Sequence, residues 1–216
     1  MKARIVRKIV ASAVFFVLIS VTASAQISRE ATANSYLERG IKWLSKGDVD
    51  RAKSDFDLAI ASNPKATVAY LNRGILKRDQ GELESAMSDF NHALKIDPNS
   101  ADAYNNRAAI FYLQKKYDEA IQDLNFALKL NPRLTMAYND RGVIRHLKND
   151  VTGALGDYDQ AVKIDPKFAR AYLNRGIAKL EQGNRSEAEK DFAVCVKLRP
   201  ELKNSVTQIL QLEESK

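Results

Sequence analysis

The segment Thr67–Ser100 reads TVAYLNRGILKRDQGELESAMSDFNHALKIDPNS. Its proline, Pro98, is one of five, and Pro64, Pro98, Pro132, Pro166 and Pro200 follow one another at intervals of 34 residues. A fixed period of this size is the signature of a repeat architecture. With each proline at position 32, the repeats are 33–66, 67–100, 101–134, 135–168 and 169–202.

The other positions then fall into register. Position 4 holds Tyr36, Tyr70, Tyr104, Tyr138 and Tyr172, and position 8 holds Gly40, Gly74, Ala108, Gly142 and Gly176. Position 20 is Ala52, Ala86, Ala120, Ala154 and Ala188, and position 24 is Phe56, Phe90, Leu124, Tyr158 and Phe192. Position 27 is Ala59, Ala93, Ala127, Ala161 and Cys195. Positions 4, 8 and 11 share one face of a first helix, and 17, 20, 24 and 27 share one face of a second. Small residues at 8 and 20 let the two backbones approach, and the aromatics at 4 and 24 fill the space beside that contact. Gly47, Gly81, Asn149 and Gly183 at position 15 suit the left-handed conformation that ends a helix; Lys115 in the third repeat does not. The proline ends the second helix. Each pair has too little apolar surface to fold alone, so pairs must stack.

This pattern resembles the tetratricopeptide repeat over residues 33–202. The resemblance implies an all-α fold, a right-handed α-solenoid superhelix of antiparallel helix pairs whose first helices line a concave face. Residues 203–216, with Val206, Ile209 and Leu210 on one stripe, are expected to form a capping helix, and residues 26–32 a frayed tether.

The N-terminus reads as a secretory signal peptide, residues 1–25. Lys2, Arg4, Arg7 and Lys8 precede an uncharged, mostly apolar run from Ile9 to Thr22, and Ala23-Ser24-Ala25 places small residues where a signal peptidase cuts. The expectation is export to the periplasm or outside the cell. The alternative is a membrane-tethered envelope assembly factor that keeps this segment as an anchor. Only in that case is the membrane a partner. Of the net charge of +7, these four cations supply more than half. The near-neutral remainder gives no sign of nucleic-acid binding.

Catalytic and metal motifs are missing from the sequence: there is no phosphate loop, nucleophile elbow or metal spacing. No enzyme activity, cofactor, metal or small-molecule substrate is expected. Cys195 stands where the other repeats have Ala, which suggests a small buried residue.

By the resemblance, positions 2, 5, 6, 9, 12 and 13 face a protein or peptide ligand. The expected groove residues are Asn72, Arg78, Asn106, Tyr112, Asn139, Asp140, His146, Arg170 and Asn174. Position 6 recurs as Asn72, Asn106, Asp140 and Asn174, and an amide both donates and accepts, so such a series suits the backbone of an extended peptide. The carboxylate clamp of some family members is not matched. Position 5 lacks its lysine, holding Leu37, Leu71, Asn105, Asn139 and Leu173.

Position 7 is Arg in every repeat (Arg39, Arg73, Arg107, Arg141, Arg175) and position 23 is Asp (Asp55, Asp89, Asp123, Asp157, Asp191). The family residue at 7 is usually apolar, so a charge there needs a partner. Antiparallel packing that sets 8 against 20 and 4 against 24 also brings 7 near 23. Each Arg is therefore expected to meet an Asp of its own or the adjacent repeat.

Overall fold

The computed structural model describes residues 25–214. The predicted leader, but for Ala25, lies outside the described residues. Every regular element among the described residues is helical. The chain divides into two compact units, Met1–Ile96 and Asp97–Lys216.

The described part of the first unit holds α1 (residues 25–45), α2 (Val49–Ser62), α3 (Thr67–Asp79) and α4 (Leu83–Ile96). Ala52, Phe56 and Leu76 form a core, with Leu37, Trp43, Leu44 and Val49 packed around it. Residues 26–32, expected as a frayed tether, instead continue α1 as helix, with their side chains exposed. This stretch contains neither proline nor glycine to stop the helix from extending.

The second unit holds α5 (Ala101–Leu113), α6 (Tyr117–Leu130), α7 (Thr135–Leu147), α8 (Val151–Ile164), α9 (Ala169–Glu181) and α10 (Arg185–Leu198). A 3-10 turn, Pro200–Leu202, leads into α11 (Lys203–Glu214). Consecutive helices pack as pairs, α5 on α6, α7 on α8 and α9 on α10, and pair meets pair through α6–α7 and α8–α9. The aligned Ala positions are buried: Ala120, Ala127, Ala154, Ala161 and Ala188 are at 0% exposure. Along α11, Val206 is buried against Leu180 and Phe192, with Ile209 and Leu210 beside it.

The helices start and stop for local reasons. Asp48 and Asp150 cap α2 and α8 by accepting from Arg51 N and Gly153 N. The second helices α2, α4, α6 and α8 are followed by Asn63, Asp97, Asn131 and Asp165. Each side chain accepts from the backbone two residues on, across the proline, at 2.9–3.0 Å. This side-chain turn reverses the chain after the second helix. After α10 the equivalent residue is Arg199, the turn is absent, and the chain enters α11.

The first helices end with a left-handed residue in all five pairs: Gly47, Gly81, Lys115, Asn149 and Gly183 have φ of 76°, 81°, 59°, 65° and 76°. Lys115 thus takes the conformation that its residue type disfavours. The reversal demands it, and the neighbouring packing outweighs the cost of a Cβ there. Lys115→Gly is expected to stabilise the chain by about 1 kcal/mol, raising the melting temperature by a few degrees. An unchanged or lower melting temperature would count against strain at this turn.

Candidate peptide-binding groove

The faces of the first helices are set by ion pairs. All five position-7 arginines reach the position-23 aspartate of their own pair through both Nε and Nη2, at 2.5–3.0 Å. The aspartates are buried, at 2–4% exposure. The fork-to-carboxylate geometry is directional, so it fixes rotation as well as distance. Each guanidinium also lies 5.1–5.6 Å from the ring of the position-4 tyrosine one turn earlier.

The remaining guanidinium nitrogen joins one pair to the preceding one. Arg73 Nη1 donates to Asp57 at 2.6 Å, Arg141 Nη1 to Asn125 at 2.6 Å and Arg175 Nη1 to Asp159 at 2.7 Å. The aspartates of three pairs gain a second cation from position 11, where Lys77, Arg145 and Lys179 each sit at 2.8 Å. In the first pair Arg39 is more exposed. Its hydrogen bonds hold the Asp55 carboxyl below the usual carboxylate range, against the opposing effect of burial. A lowered folded-state pKa gives stability that is full above the unfolded carboxylate value and is lost as pH falls through the folded one.

The predicted groove residues divide by unit. In the first unit, Asn72 Nδ2 turns back to Val68 O at 2.8 Å and Arg78 donates to Asp79. In the second unit, Asn106 Nδ2 does likewise to Asp102 O at 2.8 Å. Tyr112 is exposed, with its ring against that of Tyr117. Arg170 is exposed on the first turn of α9.

Asn139 is a correction. It is buried at 4% exposure, so it lies beneath the groove surface. Its Oδ1 accepts from Asn174 Nδ2 at 2.9 Å, and its Nδ2 donates to Asp140 at 3.1 Å. The series at position 6 is therefore not uniform. Two amides fold back on their own helices, and a third is braced across the α7–α9 step. Asn139, at position 5, reaches the next first helix rather than outward, and nothing in the residue pattern distinguishes which of the two adjacent positions does so.

That brace borders a cleft of about 380 Å³ between α7 and α9, lined by Val143, His146, Leu147, Tyr158, Asn174, Ile177 and Glu181. His146 Nε2 lies 2.6 Å from Glu181 Oε2 across one rim. Val143 and Ile177 at position 9 and Leu147 and Glu181 at position 13 line the cleft, positions that the resemblance places on the ligand-facing side although these residues are not named individually there. Asn174 donates an amide proton to Asn139, and its Oδ1 remains an acceptor. The result is an apolar hollow with polar groups on its edges, suited to one side chain and the adjoining backbone of another polypeptide.

Among the described residues, no cluster of three or more His, Cys, Asp or Glu side chains is placed to hold a metal. Cys195 is buried, and burial pushes its thiol up.

Models of the tetratricopeptide repeat match residues 101–134 and 169–202, and a further model of the same repeat matches 74–115 and 142–183. This chain belongs to the tetratricopeptide-repeat family. No curated protein matches the sequence. Among solved structures, MamA is 26% identical, with a TM-score of 0.62 over 75% of this chain and 95% of that one. PilF of Pseudomonas aeruginosa is 19% identical, with a TM-score of 0.73 over 79% and 78%. YrrB, described as a TPR protein with an unusual peptide-binding site, is 20% identical, with a TM-score of 0.61 over 83% and 90%. The stacked pairs of this tetratricopeptide-repeat chain are thus of a fold shared with these proteins.

Proposed function

We propose that this chain is a non-enzymatic adaptor of five repeats and a capping helix, and that it binds an extended segment of a partner protein along the first helices. The observation that carries this reading is the cleft between α7 and α9. It brings Val143, Leu147 and Ile177 together with the Asn174 amide, whose Nδ2 is held by Asn139. A fold relative, YrrB, has a peptide-binding site by its own description, which supports the same use of this architecture by analogy. The leader-like residues 1–25 support export, with the periplasm or the exterior as the place of action.

Affinity capture from an envelope fraction, with the chain beginning at Gln26 as bait, is expected to recover a partner polypeptide. Asn174→Ala should weaken that partner's binding by about 0.5–1.5 kcal/mol, the worth of one hydrogen bond, and, because it also removes the donor to the buried Asn139 Oδ1, should lower the melting temperature by a few degrees without unfolding the chain. Equal affinity of the variant would remove Asn174 from the site. N-terminal sequencing of the protein from cells should begin at Gln26. An intact N-terminus would support a retained membrane anchor instead.

A further inference from the structure

The first helix of the array differs from later ones on the face that they turn to the preceding pair. On α3, α7 and α9 position 3 is Ala69, Ala137 and Ala171, all at 0% exposure, and position 10 is Leu76, Ile144 and Ala178, all buried. Leu76 packs on Ala52 and Phe56 of the pair before it, and Ala137 and Ile144 pack likewise on Leu124 and Leu128. Among the described residues no pair precedes α1. Its residues at these positions are Ser35 and Lys42, and both are exposed. Position 7 nevertheless keeps its arginine. Arg39 Nε and Nη2 hold Asp55 as in the other pairs. In Arg73, Arg141 and Arg175 the third nitrogen, Nη1, donates to position 25 of the preceding second helix. Among the described residues Arg39 Nη1 meets no such acceptor, and its side chain is 53% exposed.

The same face of α1 runs through Ser28, Ala31, Ser35, Arg39, Lys42 and Lys46 at steps of three or four residues, and none of these is acidic. Among the described residues Lys42 has no ion-pair partner, and the Lys46 ammonium lies 5.1 Å from the Trp43 ring. An array end needs polar side chains to stay soluble, but this one is cationic. Its guanidinium is also held by the Asp55 fork in the orientation that meets an acceptor in later pairs. We infer that this face of α1 docks an acidic helix of a partner protein, laid against α1 as α2 lies against α3. One carboxylate of that helix takes the place that Asp57 has at Arg73, and others, three or four residues apart, meet Lys42 and Lys46. The face uses none of the groove residues, so it gives the chain a second binding surface, as an adaptor requires.

The test uses the full chain and synthetic alanine-rich helices of about twenty residues, long enough to hold helix in water. One carries glutamates along a single face, a second has the same composition with the glutamates scattered around the helix, and a third has glutamine in their place. Binding is followed by calorimetry and by the fluorescence of Trp43, the one tryptophan of the chain, against whose ring Lys46 rests. The helix with one acidic face should bind, less tightly as salt is raised, and the other two about tenfold more weakly, as expected for charged hydrogen bonds. Lys42→Glu should weaken that binding by about tenfold and leave the melting temperature unchanged, since Lys42 is exposed and gives up no ion pair. Equal binding of the scattered helix, or binding that Lys42→Glu does not alter, would overturn the proposal. Absence of binding by every helix would reduce the face to a solubilising end, and phosphatidylglycerol vesicles that bind where the acidic helix does not would assign it to a membrane surface; both overturn the proposal and leave the groove reading intact.

Discussion

Asp157→Ala is expected to destabilise the chain by about 3–5 kcal/mol, the cost of leaving buried charge without its partner. Asp157 is 3% exposed and receives three hydrogen bonds, two from Arg141 and one from Arg145. Truncation takes the carboxylate away from both guanidinium groups, of which Arg141 is the more buried, and Arg141 also holds α7 to the preceding pair through Asn125. The same substitution at the other end of the series should behave differently. Asp55 pairs with Arg39, whose side chain is 53% exposed and therefore rehydrates when the carboxylate is removed. Asp55→Ala should cost about 1 kcal/mol or less, as for an exposed pair. Urea unfolding of the two variants measures the contrast. Equal small losses would mean that the ion pairs do not fix the helix pairs.

Gly142→Ala is the second large effect. A Cβ on Gly142 would lie 2.6 Å from Tyr158 Cε1, with Cδ1 at 2.9 Å. The ring is buried at 1% exposure. Overpacking of this kind costs about 1–3 kcal/mol. The protein itself contains the compensated form. In the third pair position 8 carries Ala108, and position 24 opposite it is Leu124 rather than an aromatic; both are buried at 1%. In the other pairs a Cβ on the glycine would meet an aromatic ring at 2.5–2.6 Å. The mild departure in the third repeat is thus a matched exchange of volume. Tyr158→Leu alone should lose about 2–4 kcal/mol by leaving a cavity. Gly142→Ala with Tyr158→Leu should lose markedly less than the sum, giving a coupling energy of about 1–3 kcal/mol. Simple additivity would show that the two residues are not in contact.

Much of this fold is legible in the sequence because a 34-residue period converts each position into five observations. The meeting of Arg and Asp follows from antiparallel packing, since 7 must come near 23 once 8 lies on 20. The link from Arg73 to Asp57 is not legible in that way. It joins neighbouring pairs, and the offset between pairs depends on their mutual rotation, which the spacing does not state. The same rotation decides that Asn139 turns inward while Asn174 lines the cleft, although the repeat pattern assigns both to the groove. Lys115 departs from expectation for another reason. Turn chemistry predicts which residue is comfortable at positive φ, while the length of the reversal decides which residue must be there. Residues 26–32 are too short for a cap, yet they form helix because α1 provides a template to extend.

A partner polypeptide lying on the first helices rather than on the second ones is tested most directly by site-specific photocrosslinking in cells. A photoreactive phenylalanine analogue at Leu147, an exposed residue lining the α7–α9 cleft, is compared with one at Gln160, exposed on the second helix α8. An adduct with another polypeptide is expected from position 147 and none from position 160. Adducts from position 160 with none from position 147 would contradict binding along the first helices.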